Sequence, residues 1–244
     1  MYDQEKIKPY SQDEPKGAQV ERMFDSIAPS YDLLNHLLSL GIDRRWRCRT
    51  IDTLAAYPHR EVLDVATGTG DFALLTCRRL KPERLVACDI SEGMMQVGRH
   101  KAEEAGLSDR ITFRQEDCMA LSLPDDSFDV VTVAYGVRNF SDLDRGLSEM
   151  RRVLRPGGHL AILELCTPNK APMRQLFRLY SHVWMPLVGR LVSHDKRAYR
   201  YLPATMEAFP QGEVMQQILI KAGFSPVTFK RFTCGLSTMY LATK

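Results

Sequence analysis

Long uncharged stretches are missing from this chain. The longest window without Lys, Arg, Asp or Glu is Phe232–Thr243, twelve of its 244 residues. A membrane-spanning helix needs about 20 predominantly apolar residues, so no such helix is expected. The N-terminus, Met1-Tyr2-Asp3-Gln4-Glu5-Lys6, carries charges with no apolar core behind them and does not read as a signal peptide; a cytoplasmic location is expected. Cysteine is sparse and scattered. Cys48, Cys77, Cys88, Cys118, Cys166 and Cys234 form no C-x-x-C pair, and no His stands at zinc-site spacing from them, so reduced thiols are expected and no metal site. A dominant charge sign is also absent: 33 basic residues face 30 acidic ones, for a net charge of +3, which excludes a strongly basic nucleic-acid footprint over the whole chain. The length fits one large domain or one domain with extensions, and 44% hydrophobic with 26% charged residues is an ordinary globular mix that excludes wholesale disorder.

Residues 1–18 are polar, with Pro9, Pro15 and Gly17, and read as a loose lead-in to a single domain over 19–244. From 19 to 57 apolar residues recur at helical spacing (Met23, Ile27, Leu33, Leu34, Leu37, Leu38, Trp46, Ile51, Leu54), and Pro29 and Gly41 are expected to divide them into two or three short helices. After Pro58 short β-branched runs alternate with helical patterns. The strand-like runs are Glu61–Ala66, Leu85–Asp89, Ile111–Gln115, Asp129–Ala134 and His159–Leu163; the helical stretches are Phe72–Leu80, Gly93–Ala105 and Leu143–Leu154. Such alternation implies βαβ crossovers and a mostly parallel sheet covered on both faces. A helix-rich insertion, Met173–Val192, interrupts it. A helix over Glu213–Ala222 then leads to Val227–Phe232 and Ser237–Ala242, joined tightly at Thr233-Cys234-Gly235 and so expected to pair antiparallel.

The first strand runs into Leu63-Asp64-Val65-Ala66-Thr67-Gly68-Thr69-Gly70-Asp71. A Gly-x-Gly turn here lets backbone approach a ligand at the carboxyl end of the sheet, although alone it is equally a tight strand-to-helix turn. Asp89, nineteen residues beyond Gly70 and at the end of the second run, is placed to accept the hydroxyls of an adenosine ribose. Both nicotinamide enzymes and S-adenosylmethionine (SAM) enzymes use that device. Three details favour the second. The third glycine of the dinucleotide fingerprint is replaced by Ala73; Asp64 sits inside the first strand, where it can orient the glycine turn or reach through water toward an ammonium; and Glu116-Asp117-Cys118 follows the third strand, where a carboxylate can accept an adenine amino group.

Asp64, Asp89 and Asp117 at the ends of three successive strands, with the Leu154-Arg155-Pro156-Gly157-Gly158 turn, resemble the class I SAM-dependent methyltransferases. That resemblance implies an α/β, Rossmann-like fold: a seven-stranded, mostly parallel sheet with a reversed last strand, here with an N-terminal helical lid over 19–57 and a helical insertion over 165–210. After the fourth strand comes Ala134-Tyr135-Gly136-Val137-Arg138-Asn139-Phe140, without the Asn- or Asp-Pro-Pro-aromatic motif of amide-methylating nucleic-acid enzymes. Two blocks narrow the match, Tyr31-Asp32-Leu33-Leu34-Asn35-His36-Leu37-Leu38-Ser39-Leu40-Gly41-Ile42-Asp43-Arg44-Arg45-Trp46-Arg47 and Arg152 to Glu164, with Tyr199-Arg200-Tyr201-Leu202-Pro203 also fitting. Together they resemble the ubiquinone/menaquinone biosynthesis C-methyltransferases, the UbiE/MenG family. Leu165-Cys166 departs from the aromatic and small hydroxyl residue usual there, and Ala134 stands where some members carry Ser, so one polar contact to SAM is missing.

The resemblance implies methylation of a ring carbon of a polyprenylated quinol, demethylmenaquinol to menaquinol, with the benzoquinol equivalent, another phenolic or lipid-like acceptor and a non-catalytic SAM-fold subunit as alternatives. SAM is the implied methyl donor. The expected SAM contacts are Asp64, Gly68, Thr69, Gly70, Asp89, Asp117, Cys118 and Ala134. Removing a quinol hydroxyl proton pushes electron density onto the ortho carbon; Arg138 is expected to supply a positive field, with Asn139 and Tyr31 orienting the hydroxyl or a water. Arg44, Arg45 and Trp46 are expected to dock the lid onto the sheet. The insertion carries Lys170, Arg174, Arg178, Arg190, Lys196, Arg197 and Arg200 against Asp195 and Glu207 among apolar residues that include Leu176, Phe177, Trp184 and Leu191, which suits a peripheral contact with anionic membrane at its cytoplasmic face. The expected partners are therefore the polyprenylated quinol, that membrane surface and a second copy of the chain in a homodimer, with no nucleic acid.

Overall fold

Five consecutive strands rich in Val, Leu and Ile set the frame. The computed structural model describes residues 1–181 and 198–244. Strands β1 (Glu61–Val65), β2 (Arg84–Asp89), β3 (Ile111–Gln115), β4 (Phe128–Ala134), β5 (Leu154–Leu165), β6 (Val227–Phe232) and β7 (Ser237–Thr243) form one sheet in the order β3-β2-β1-β4-β5-β7-β6. Neighbours among β1 to β5 are parallel, and β7 lies antiparallel between β5 and β6. The near-continuous burial of Val62, Leu63, Val65, Val130, Val131, Val133 and Leu160–Leu163 is what helices on both faces impose on a parallel sheet. One face is covered by α3 (Ile42–Leu54), α4 (Asp71–Leu80) and α5 (Glu92–Glu104) through Ile51, Leu54, Phe72, Cys77 and Ala102. The other is covered by α6 (Leu143–Val153) and by α9 (Glu213–Lys221) through Leu143, Leu147, Met150, Met215 and Leu219.

Short α1 (Asp3–Lys6) and the long α2 (Lys16–Ser39) precede this body, and α7 (Met173–Leu179) and α8 (Ala198–Ala208) belong to the insertion. Two expectations are corrected here. Pro29 does not divide the lid: α2 is one helix of 24 residues that runs through it. A proline inside a helix removes one backbone hydrogen bond and costs roughly 3 kcal/mol. Tertiary contacts on both sides of Pro29 offset that: Val20, Met23 and Ile27 are buried with Tyr201, while Asp25 and Asp32 bond α5 and the first turn. The break at Gly41 is present, with φ +72. Residues 1–18 are a fastened strap rather than a loose lead-in. Gln4 and Glu5 are buried, Glu5 Oε1 accepts the Leu143 amide at 2.8 Å at the start of α6, and Lys16 Nζ donates to the Gln4 carbonyl at 2.6 Å. Most of the expected Met173–Val192 helix, with Val183, Trp184, Met185, Leu187, Val188, Arg190 and Leu191, and likewise Asp195, Lys196 and Arg197, lies outside the described residues.

The strand order reverses between β1 and β4, and a crevice opens there at the carboxyl ends of the strands. The sequence after each of these strands is built to meet the other. A Cβ on Gly136 would fall 2.6 Å from the Ala66 Cβ, so only glycine lets the two loops pass this closely. Ala66 and Tyr135 both hold a positive φ, at +51 and +62, a conformation that costs a non-glycine residue roughly 1–2 kcal/mol and that clusters at functional sites.

Candidate active site

Two cavities meet at this crevice. The smaller lies over the carboxyl ends of β1, β2 and β4 and is lined by Ala66, Gly68, Cys88, Asp89, Asp117, Cys118, Ala134 and Gly136, with Val20, Phe24 and Tyr31 of α2 closing it. Gly68 has φ +57, and its amide donates to Asp89 Oδ2 at 2.8 Å, while Asp89 Oδ1 accepts the Ser91 amide at 2.9 Å. Each carboxylate oxygen of Asp89 retains a second lone pair for a ligand hydroxyl. Burial raises the Asp89 pKa above its ordinary value, against the backbone hydrogen bonds that lower it. Gly70, also at positive φ, caps α4. Of the acidic pair after β3, Glu116 is taken: it accepts from Ser122 Oγ at 2.6 Å and from Arg114 at 2.9 Å. Asp117 is exposed, and among the described residues its side chain accepts from the Met119 amide, through Oδ1 at 2.9 Å. Burial pushes the Cys88 and Cys118 thiols well up, so both are inert wall groups here.

Asp64 and Thr69 sit one layer back. Asp64 is 1% exposed, and its two oxygens accept from Thr67 Oγ1 and Thr132 Oγ1, each at 2.6 Å. It braces the turn from beneath, and burial pushes its pKa up to about 6. Thr69 is buried, and its hydroxyl donates to Asp32 Oδ1 on α2 at 2.6 Å rather than pointing into the cavity. Lys101 joins the same cluster, donating to Asp32 Oδ2 at 2.8 Å and to Asp71 Oδ1. Farther along α2, Asp25 Oδ1 accepts from Ser91 Oγ at 2.6 Å and from the Gly93 amide at 3.0 Å. The lid is thus fastened to the glycine turn and to the start of α5.

The larger cavity, about 300 Å³, is walled by Phe24, Ile27, Trp46, Leu165, Phe177, Met206 and Leu236 among others. It shares Phe24, Tyr31, Tyr135 and Asn139 with the smaller one. Arg138 and Asn139, on the short 3-10 turn after β4, line it, and so does Tyr31. Arg138 is buried and ion-paired: Nη1 donates to Glu164 Oε1 at 2.6 Å and to the Tyr135 carbonyl, and Glu164 is 0% exposed. Burial works against the Arg138 charge, but Glu164 together with Tyr31 and Tyr201 outweighs it and keeps the guanidinium protonated. The Tyr31 hydroxyl bonds Asn35, and burial raises the pKa of both Tyr31 and Tyr135. Several buried polar atoms around this cavity have no partner among the described residues: Tyr135 OH, Asn139 Oδ1, Arg138 Nε, Arg47 Nε and Tyr201 OH. An apolar chamber with unsatisfied polar atoms at its inner end suits an apolar molecule with a polar head.

Sequence reasoning missed Glu164, Arg47, Asp43, Lys101 and Tyr201. Arg44 and Arg45, expected to dock the lid, are exposed; Trp46 docks it, donating from Nε1 to Thr233 Oγ1 at 2.8 Å, with the buried Arg47 over the Tyr135 ring. The signal was available, because positions 43, 46, 47 and 50 share one helical face and all four are buried.

The model of the ubiE/COQ5 methyltransferase family matches residues 12–244. A demethylmenaquinone methyltransferase of Bacteroides fragilis (strain YCH46) is 58% identical over 243 residues, covering 100% of this chain and 99% of that protein. Another from Porphyromonas gingivalis is 43% identical, with 100% of both chains covered, and the ubiquinone/menaquinone biosynthesis C-methyltransferase UbiE of Geobacter sulfurreducens is 42% identical over 94% of this chain and 90% of its own. Among solved structures, a SAM-dependent methyltransferase from Thermotoga maritima superposes with a TM-score of 0.66 at 17% identity, covering 92% of this chain and 99% of that one, which shows a shared fold.

Proposed function

The chain belongs to the ubiE/COQ5 methyltransferase family, and on that premise we propose that it methylates a ring carbon of a polyprenylated 1,4-naphthoquinol, converting demethylmenaquinol to menaquinol with SAM as methyl donor. The observation that carries this reading is the junction of the two cavities at Tyr31, Tyr135 and Asn139: a recess lined by Gly68, Asp89 and Asp117 opens there into an apolar chamber. The residues of the recess fit SAM. Asp89 accepts the ribose hydroxyls, Asp117 and Cys118 face the adenine, and Gly68 lets the turn approach the amino-acid end, with Thr69, Gly70 and Asp64 shaping and bracing that turn from behind. Ala134 forms apolar wall. When bound, SAM supplies an electrophilic methyl group whose sulfur departs as a neutral thioether.

The chain's own groups do the rest by position, which is where most of the acceleration of an in-line displacement comes from. Arg138, Asn139 and Tyr31 hold the acceptor's hydroxyl at the junction. Arg138 contributes less net field than an isolated cation because Glu164 neutralises it, so its part is a directional hydrogen bond from a pre-organised guanidinium. The aromatic and aliphatic walls exclude water from the reacting centre.

The mouth of the chamber fits the prenyl tail. Leu40 and Leu176 line the cavity and are 76% and 58% exposed, and Leu179, Arg44, Arg45, Lys170 and Arg174, within a few residues of them in sequence, are exposed as well. No described helix is long and apolar enough to cross a membrane. A basic and apolar rim instead suits a cytoplasmic protein leaning on anionic lipid, from which a quinol tail enters. The test of the activity is methyl transfer from labelled SAM to chemically reduced demethylmenaquinone in detergent, with the oxidised quinone as control. Labelled product from the reduced form alone is expected; none from it, with SAM still bound, would discard the acceptor.

A further inference from the structure

The turn that carries Arg138 and Asn139 is held from two sides. On one side Glu164 accepts from the Arg138 side chain at 2.6 Å and from its amide at 3.2 Å. On the other lies the strap of residues 1–18. Lys16, the first residue of α2, is 4% exposed, and its ammonium donates to two backbone carbonyls, that of Gln4 at 2.6 Å and that of Phe140 at 3.3 Å. Phe140 follows Asn139 directly. Three residues on, the Leu143 amide opens α6 and donates to Glu5 Oε1 at 2.8 Å, while Glu5 Oε2 accepts the Tyr2 amide at 2.7 Å. The first amides of a helix have no partner within it and form its positive end, so a buried carboxylate suits that place. The link 140–143 is therefore gripped at its first carbonyl by Lys16 and at its last amide by Glu5, and these two meet in α1 through the Gln4 carbonyl.

The strap is itself stitched down. Gln19 is fully buried; its Oε1 accepts the Tyr10 and Ser11 amides at 2.8 and 2.9 Å, and its Nε2 donates to the Ser11 and Glu14 carbonyls at 2.8 and 2.9 Å. The Lys16 ammonium also stands 6.0 Å from the centre of the Tyr201 ring, which lies on α8 in the wall of the large cavity. Burial pushes the Lys16 pKa down to about 8, with Glu5 acting to raise it and Arg138 to lower it. A desolvated ammonium is costly, and an apolar side chain would pack there without that cost; the two carbonyl bonds are what the lysine adds. The family match begins at residue 12, so α1 with Gln4 and Glu5 lies outside the pattern that defines the family.

On the reading that this turn holds the acceptor hydroxyl, we infer that Lys16 and Glu5 are positioning residues: through Phe140 and Leu143 they fix where Arg138 and Asn139 stand in the chamber. Neither Lys16 nor Glu5 lines either cavity, so their effect on turnover passes through the turn.

The experiment compares wild type with Lys16→Met, Glu5→Ala and Glu5→Gln. Lys16→Met keeps an unbranched apolar stem and loses both donations; Glu5→Ala frees the Leu143 amide, and Glu5→Gln keeps one acceptor for it. With saturating SAM and chemically reduced demethylmenaquinone, kcat per SAM-binding site should fall about 10–100-fold in Lys16→Met and Glu5→Ala, the scale on which a misplaced reactant is felt, and should stay within about threefold of wild type in Glu5→Gln. SAM affinity by calorimetric titration should hold in all three, since Gly68 and Asp89 are untouched. Amide exchange followed by mass spectrometry needs no acceptor; it should speed up over 137–143 in Lys16→Met and Glu5→Ala and stay unchanged in β1 and β4. A merely structural role would lower the melting temperature and speed exchange throughout, leaving kcat per SAM-binding site as it was. Wild-type kcat per site in either variant that folds, or exchange over 137–143 no faster than in wild type, overturns the inference. A wild-type enzyme that leaves the quinol unmethylated overturns the acceptor reading, and exchange over 137–143 then decides by itself whether Lys16 and Glu5 hold the turn.

Discussion

Replacing Asp64 with Asn should stabilise the protein at neutral pH and leave it unimproved in acid. The carboxyl is 1% exposed, and burial raises its pKa from the ordinary 3.8 to about 6. At about 1.4 kcal/mol per pH unit, keeping it ionised in the fold costs roughly 3 kcal/mol. The folded state binds this proton more tightly than the unfolded chain. Its stabilising effect is therefore fully present below about pH 4, is lost as pH rises through 6, and is gone by about pH 7. Asn cannot ionise, so it escapes that loss. Its own cost is small, since the Thr67 and Thr132 hydroxyls both donate to Asp64 and one of them can turn to accept from the new amide instead. Urea unfolding of both proteins at pH 4 and pH 8 measures the difference. The variant's stability relative to wild type should improve by roughly 2–3 kcal/mol between the two. A relative stability that stays constant with pH would refute the argument that an ionised, desolvated carboxylate lies under the turn. Titration with SAM completes the test, because weakened binding in the stabilised variant would identify ligand orientation as the reason the charge is there.

Asp89→Ala removes an acceptor from the Gly68 and Ser91 amides and from the ribose, and calorimetric titration should show SAM affinity about 30-fold weaker, or about 2 kcal/mol; an unchanged dissociation constant would contradict the donor site. Arg138→Ala strands the fully buried Glu164 and should cost about 3–5 kcal/mol in urea unfolding. The double change Arg138→Ala with Glu164→Ala should regain part of that stability and none of the turnover; recovered turnover would reduce Arg138 to a structural role. Wild type should sediment with vesicles containing anionic lipid at low salt and be released by high salt, and Leu176→Glu with Leu179→Glu should abolish this. Binding that is indifferent to both salt and substitution would locate the contact elsewhere.

Much of the sheet could be read from the chain because its signals are local. Each of the seven strands lies within a few residues of a β-branched run, and the antiparallel β6 and β7 followed from a three-residue connection too short for a crossover. The grouping of Gly68, Asp89 and Asp117 on one recess was legible for the same reason, since a turn and the carboxylates at strand ends occupy fixed places in a βαβ frame. What escaped depends on distant partners. Thr69 reads as a ligand contact by its position in the turn, yet its hydroxyl goes to Asp32, 37 residues earlier. Glu164 looks like the end of a strand, and only the fold sets it against Arg138. Pro29 is a helix breaker by local propensity and is overruled by contacts of α2 with α5 and Tyr201.

The placement of Thr69 alters how the lid and the chemistry relate. Asp32, which receives the Thr69 hydroxyl, is the neighbour in sequence of Tyr31, the α2 tyrosine present in both cavities. The same turn of α2 therefore fastens the lid to the glycine turn and carries a tyrosine that lines both cavities. Lys101 and Asp71 carry the connection on to Arg47 and Asp43 in the far wall. The contacts of α2 thus hold the glycine turn, Tyr31 and the buried carboxylate in place relative to one another. For a displacement whose leaving group departs uncharged there is little developing charge on that side for the protein to stabilise, so alignment of the two reactants in a dry chamber is the main lever available. A network of charges joining lid, turn and wall is the means by which this sequence holds that alignment.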